Sequence, residues 1–388
     1  MSVYAYQGPA VTQNTRGYNG GLVGPTIRIN PGDSLSVQLT NGMAAEAYET
    51  GTLHNEYRQF DTTNLHTHGL HISGEPPGDS IFTEVAPGET YTYQYQLPAS
   101  HMGGTFWYHP HHHGSTAVHA GGGAVGMIIV NDPPGSIPDD IANLEEVLLI
   151  MAHINMPELT TVAQEFEANC QNLGGSAAQC DDPVWANGPT SGTQSNVVLV
   201  NGMTEPVVPL AANRWYRVRM VFAAVDATLS PTLPGCTVKL LAKDGIYLET
   251  APRDITQGGF MGPGNRADWA VMCPTGSYAL DSGNINGRRL QGPQRQQPAM
   301  TQTLVTFEAT DQGDTQCELS TFAVRRPCYA VDLRSVTTAA STTAIRIGPV
   351  PRINEAEFAT STTYLATHQV GTVVQLCLLY TSPSPRDS

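Results

Sequence analysis

The sequence predicts an all-β protein built from sandwich domains in tandem, and three observations carry that prediction. Turn formers are abundant, with 38 Gly and 28 Pro in 388 residues, and many short strands require that supply of turns. Apolar and polar residues alternate with a period of two through several runs of the chain, the pattern of strands with one buried face. A strand–turn–strand layout also recurs, since TIRINPGDSLSVQLTNG and VVPLAANRWYRVRMVFA follow the same order of alternating run, turn and alternating run. Such a repeat suggests a duplicated domain. A chain of 388 residues is long enough for two or three domains, each with its own core.

In chain order, MSVYAYQGPAVTQN has neither the basic start nor the apolar core of a secretory signal, so the chain is expected to be leaderless or to lack its true beginning. Ile27 and Ile29 alternate with polar residues, Pro31, Gly32 and Asp33 make a turn, and Leu35, Val37 and Leu39 resume the alternation, which reads as a hairpin-like unit. Tyr91, Tyr93, Tyr95 and Leu97 mark another strand, with the tyrosines as packing residues. Between these runs lies the loop HISGEPPGDSIF, which carries Glu75 and Asp79.

The chemistry-bearing residues lie in LHTHGLH and FWYHPHHHG. Residues i and i+2 of a strand share a face, so His66 and His68 are expected on one face of their strand, and His109 and His111 on one face of theirs. Two such pairs on neighbouring strands offer four imidazoles to one pocket. Neutral imidazole suits copper, zinc, iron and nickel, so the spacing points to a transition metal without choosing one. His71 and His112 have the wrong parity and are expected to face away, while His113 is followed by Gly114, where the strand should end. His54 and His101 fall in loops without a partner at ligand spacing.

LHTHG followed by GTFWYHPHHHG resembles the first two copper motifs of the multicopper oxidases, laccase-like enzymes of cupredoxin (plastocyanin-like) domains; the flanks GGLVGPTIRINPGDSLSVQLTN and GAVGMIIVNDPP resemble the strands that frame them. The resemblance implies tandem cupredoxin-like Greek-key sandwiches or barrels, two complete and a third begun. It implies that His66 binds the type 2 copper, His68 and His109 one type 3 copper, and His111 the other. It also places a carboxylate near the cluster to help deliver protons to reduced oxygen. Asp79 stands at about the right place for that relay, with a turn aspartate bonding its own backbone as the alternative. The family's C-terminal HPxHxHG and HCHxxxH motifs are not found in the sequence, where only His368 follows His153 and no Cys has a neighbouring His. Type 1 copper is therefore expected to be absent.

The Pro-rich acidic stretch NDPPGSIPDD reads as the first domain boundary. Beyond it EVLLIMAHI, NVVLVNGM, WYRVRMVFA, CTVKLLAKDGIYL, ADWAVMC, GSYAL and LVTFEAT read as strands of a second sandwich, which by the resemblance carries no copper ligand. Arg266 and Asp268 are expected to be a structural ion pair or strand-edge charges. The expected division is residues 1–131 for the first domain, 132–143 for a linker, 144–310 for the second domain, 311–345 for a connector, 346–376 for the first strands of a third, and 377–388 for a tail without strand pattern. That tail, CLLYTSPSPRDS, resembles a translated sequencing adaptor and suggests a chain that naturally continues past Leu376.

Composition excludes several function classes. A formal net charge of −15, with Lys239 and Lys243 the only lysines, argues against nucleic acid or an anionic membrane as partner, and no apolar run reaches the ~18 residues of a membrane span. Seven Cys suit an oxidising compartment; their spacing allows bridges between Cys170 and Cys180, Cys236 and Cys273, and Cys317 and Cys328, with Cys377 left over. The resemblance accordingly implies a secreted protein that, when complete, couples one-electron oxidation of a phenol, amine or metal ion to reduction of molecular oxygen. As written the chain is expected to be inactive in that reaction. The competing reading is a two-domain copper-binding or carrier protein without oxidase activity. A zinc hydrolase is disfavoured because no HExxH pattern appears.

Overall fold

A computed structural model describes residues 1–7, 12–45, 57–180, 196–225, 227–255, 259–283, 285–287, 301–313, 316–323, 333, 336–347, 352–353, 356–357, 366–369 and 372–380. Two compact units emerge, one of Met1–Thr50 with Tyr57–Pro327 and one of Gly51–Glu56 with Cys328–Ser388. The first unit holds both expected sandwiches, and strands dominate it throughout.

Its N-terminal part contains β1 (Ser2–Gln7), β2 (Thr12–Gly17), β3 (Ile27–Ile29), β4 (Ser34–Thr40), β5 (His66–His68), β6 (Thr90–Gln96), β7 (Gly104–His109), helix α1 (Thr116–Ala120) and β8 (Gly126–Val130). One sheet runs β3-β8-β7-β5 and another pairs β4 with β6. The expected hairpin of β3 and β4 therefore does not form: β3 lies parallel to β8, whereas β4 runs antiparallel to β6. The turn between them is a corner from one sheet to the other. Asp33 secures it by accepting the Asn30 backbone N–H at 2.7 Å and donating its own to the Asn30 carbonyl at 3.0 Å. Tyr93, Tyr95, Phe106, Tyr108, Ile128 and Val130 fill the space between the sheets, so the tyrosines are core residues.

The second sandwich begins after helix α2 (Asp139–Ala142) with β9 (Glu145–Asn155) and includes helix α3 (Met156–Asn172), β10 (Asn196–Val200), β11 (Val207–Ala211) and β12 (Trp215–Ala223). Strands Thr237–Lys243, Arg266–Met272, Gly276–Asp281 and Thr303–Thr310 complete its two main sheets. The internal repeat read from sequence is visible in the topology. As β3 pairs in parallel with β8 while β4 joins another sheet, β11 pairs in parallel with Thr303–Thr310 while β12 joins the larger sheet.

Three features depart from expectation. Helix α3 stands between the expected strands EVLLIMAHI and NVVLVNGM, in a stretch to which the all-β expectation assigned no helix. Asn155 caps it by accepting the Glu158 N–H at 3.3 Å, Pro157 sits in its first turn, and Met156, Leu159, Val162, Ala163 and Phe166 form its buried face. That face packs on Leu22, Phe60 and Val118 of the first sandwich, with Phe60 and Phe166 stacked at 4.3 Å. The Cys170–Cys180 disulfide closes its end, and Cys236–Cys273 ties two strands of the second sandwich. Cys317 and Cys377 carry free thiols, and Cys328 lies outside the described residues.

The beginning of the expected connector is also fastened to the second sandwich. Gln316 accepts the Trp215 N–H at 2.6 Å, Trp215 Nε1 donates to the Cys317 carbonyl at 3.1 Å, and Phe322–Ala323 pairs with Thr250–Ala251. In the second unit, Ser341–Ile347 runs parallel to a final strand, Val374–Tyr380. Strand structure thus continues beyond Leu376, as far as Tyr380. Residues 381–388, like His54, lie outside the described set.

Candidate metal centre

Register builds the site. β5 and β7 are antiparallel with His66 opposite His109 and His68 opposite Trp107. Alternation along each strand puts all four side chains on one face. His68 Nδ1 comes within 3.4 Å of His109 Nε2. Among the described residues, His66, His68 and His109 form the one group of His, Cys, Asp or Glu whose ligand atoms all lie within 4.8 Å of one another.

His111 joins by a different route from the one its spacing suggested. β7 ends at His109 and Pro110 follows, so no strand periodicity reaches residue 111. Its backbone N–H instead donates to Asn64 Oδ1 at 2.6 Å, and Asn64 also donates to the carbonyls of Ile81 and Thr83. The ring then lies 5.2 Å from that of His66 and 5.8 Å from that of His109, outside the tighter group of three. Its Nδ1 is buried with no hydrogen-bond partner. A buried ring nitrogen without a protein partner is one that a ligand can satisfy.

Asp79 is tied to this cluster across the loop, and its carboxylate does not bond its own turn. Oδ2 lies 2.8 Å from His66 Nδ1, and Oδ1 accepts the Thr67 N–H at 2.7 Å. With the Nδ1 proton directed at the carboxylate, the His66 Nε2 lone pair is left for a ligand. Glu75, on the same loop, is exposed.

Burial sets the protonation states. His68 is pushed down to about 4 by burial first and by the Arg266 charge second; burial, reinforced by neighbouring His66, carries His109 well below the usual imidazole range. His111 is lowered for the same two reasons. Neutral rings are the ligand form of histidine. Trp107 forms the floor, with centroid distances of 5.1 Å to His68 and 4.1 Å to His109, each inclined at 27°.

The remaining histidines have other duties. His71 donates its backbone N–H to His101 Nε2 at 3.1 Å, and His101 Nδ1 lies 2.7 Å from the Met102 carbonyl. His112 is buried against Ser115 and Glu84, and His119 lies 2.8 Å from the Phe60 carbonyl. The ring of His113 lies 5.5 Å from that of Phe82.

Asp268 has an ion pair, but not with Arg266. Its partners are Arg217, at 2.6 Å, and Arg219, at 3.7 Å, in a buried network that also joins Arg217 to Asp132 at 2.7 Å and Arg219 to Glu146 at 2.6 Å. Arg266 lies against the metal site: its guanidinium donates to the carbonyls of Thr105, Gly264 and Asp244 at 3.3, 3.0 and 3.0 Å. Sequence reasoning missed Trp107 and Arg266 as neighbours of the imidazoles. The signal for Trp107 was its parity with His109, two residues on in the same strand, whereas nothing local marked Arg266.

The residues present fit copper. Two ring nitrogens converge, a third ring is oriented by a carboxylate, burial favours the neutral form of His68, His109 and His111, and an all-imidazole set suits copper among other transition metals.

Residues 3–135 match the family model described as multicopper oxidase. The chain is 25% identical over 242 residues to the multicopper oxidase of Staphylococcus epidermidis, covering 62% of this chain and 45% of that protein. It is 30% identical over 154 residues to the L-ascorbate oxidase of Cucumis sativus, covering 38% and 22% respectively. It thus spans about half the length, or less, of these curated relatives. Among solved structures it is similar to Lac15 from a marine microbial metagenome, with a TM-score of 0.60 at 19% identity over 98% of this chain and 80% of that one. The structural likeness supports tandem cupredoxin-type domains.

Proposed function

We propose, from the premise that this chain is a member of the multicopper oxidase family, that His66, His68, His109 and His111 are imidazole ligands of a copper cluster serving oxygen reduction. In this reading His66 belongs to a type 2 ion, His68 and His109 to one type 3 ion, and His111 to the other. The observation that carries it is the 3.4 Å approach of His68 Nδ1 to His109 Nε2. Copper, when bound, supplies the one-electron redox chemistry that links a reducing substrate to oxygen.

The chain's own residues orient the ligands and handle protons. Trp107 supports two rings from below, and Asp79 fixes the His66 tautomer through its 2.8 Å contact. Asp79 is also read as a proton relay, since its carboxylate bridges the His66 ring and the Thr67 backbone beside the cluster. The reducing partner is read as a small organic molecule or a metal ion, by analogy with relatives named for ascorbate and for iron transport. The two disulfides support an extracellular setting, and no helix among the described residues is long and apolar enough to cross a membrane.

A second reading, copper binding or carriage without oxidase activity, is favoured by one observation. Four cysteines are tied in disulfides, and no thiolate joins the histidine group among the described residues. The experiment is to load the full chain with Cu(II), measure bound copper, and follow oxygen uptake with a phenol, ascorbate or Fe(II). Uptake that disappears in the His68→Ala/His109→Ala variant supports the oxidase. Copper lost by that variant without any uptake in the parent supports the histidines as copper ligands in a chain that, as written, does not reduce oxygen. Equal copper in both proteins sinks either reading.

A further inference from the structure

The second sandwich contributes no imidazole to the cluster, yet two of its residues touch the structure around His68. Gly264 lies in the turn Gly262–Pro263–Gly264–Asn265 that leads into the strand Arg266–Met272. A side-chain carbon built there would stand 3.0 Å from His68 Cε1, 3.4 Å from Trp107 Cζ2 and 3.5 Å from His68 Nε2, and its φ of +75° lies in the left-handed region. Only a residue without a side chain lets the turn approach the imidazole this closely. On the other side of the ligand, Gly69 has a φ of +93°, and a carbon added to it would collide with Arg266 Nη2. The glycine that follows the second histidine of LHTHG is therefore required by the second sandwich as well as by its own backbone.

Arg266 secures this approach. It is buried, and its three guanidinium nitrogens are all engaged: Nε with the Thr105 carbonyl on β7, Nη1 with the Gly264 carbonyl and Nη2 with the Asp244 carbonyl. Asp244 in turn accepts the Arg266 backbone N–H at 2.9 Å and the Asn265 side-chain amide at 3.2 Å. The guanidinium also lies 5.9 Å above the ring centre of Phe106. One planar fork thus joins the turn to the strand that carries Trp107 and His109. The arrangement matters because β5 has only three residues, and a ligand must be held within about 0.5 Å of its working position.

We propose that Gly264 and Arg266 are positioning residues for the His68 ligand, so that the second sandwich forms one wall of the copper site. This rests on the copper reading above. The geometry makes His68 a ring stacked on Trp107 of its own sandwich and met at its edge by a turn of the next.

The test uses the full chain with Cu(II) as probe, its dissociation constant from competition titration and its paramagnetic resonance spectrum. Arg266→Lys keeps the charge and removes the fork. Gly264→Asn adds bulk with a residue that tolerates the left-handed backbone. Gly262→Ala is the control, since a carbon added there meets nothing nearer than 3.5 Å. Both test variants are expected to weaken Cu(II) binding about 10–100-fold and to alter the copper hyperfine pattern, with the control unchanged. Circular dichroism confirms that each protein is folded, and Gly264→Asn decides the matter if Arg266→Lys does not fold. In a His68→Ala background, Arg266→Lys should cause no further loss, because a residue that acts through His68 has nothing left to position. Wild-type binding by both variants, or an equal Arg266→Lys effect with and without His68, overturns the proposal. Equal Cu(II) binding by the parent and His68→Ala instead overturns the copper reading beneath it.

Discussion

Thr105, Trp107 and His109 alternate along one face of β7, yet the two ends of that face serve opposite chemistries. At Thr105 the hydroxyl donates to Asp268 at 2.5 Å, inside a network where Arg28, Arg217 and Arg219 meet Asp132, Glu146 and Asp268. Burial alone would raise the Asp268 carboxyl, but the Arg217 and Arg219 guanidiniums outweigh it and the net shift is downward. At His109 the neighbours are imidazoles with no comparable array of counter-charges, and burial lowers His68 and His109 toward the neutral form. Buried charge persists where it is balanced; buried bases without balance give up the proton and keep a lone pair. The first arrangement closes an interface between sandwiches, whereas the second leaves a site open to a cation.

Breaking the balanced end has the largest expected effect. Asp268→Ala removes the buried carboxylate that Arg217 and Arg219 share, leaving them Asp132 and Glu146, and should cost about 3–5 kcal/mol in urea unfolding; a loss below about 1 kcal/mol would mean that the network is not the fastening described. Asp79→Asn acts at the open end. It should weaken copper binding about 10–100-fold with little change in the thermal midpoint, and unchanged copper affinity would remove Asp79 from the site.

The smallest effect is on pH dependence. His68, His109 and His111 are all depressed on folding, so the unfolded chain takes up protons first as pH falls. Metal-free stability is therefore fully present above about 6.5, the ordinary imidazole value, and declines as pH approaches about 4, where folded His68 titrates. Thermal midpoints across that window should fall more steeply for the parent than for His68→Ala. Parallel curves would place the protonation elsewhere.

Much of this arrangement is legible in the chain. Period-two alternation announced the strands, and the same alternation put His66 with His68 on a shared face. The split of β3 from β4 was not legible, because a turn of Pro31, Gly32 and Asp33 reads alike whether it closes a hairpin or carries the chain between sheets. Helix α3 was legible in principle from Asn155, Pro157 and the apolar spacing of residues 156, 159, 162, 163 and 166. The strand-like runs on either side of it masked the change of period.

What the chain determined by itself is local: which segments are strands, which face each imidazole takes within its strand, and which side chains are of a kind that binds a transition metal. These follow from steric alternation and donor chemistry, which need only near neighbours in sequence. Tertiary structure alone decided that Asn64 sets His111, that Asp79 orients His66, that Arg217 rather than Arg266 pairs with Asp268, and that Gly264 stands against His68. Each of those contacts joins elements separated by a loop or a domain boundary, and only sheet register and the packing of two sandwiches bring them within bonding distance.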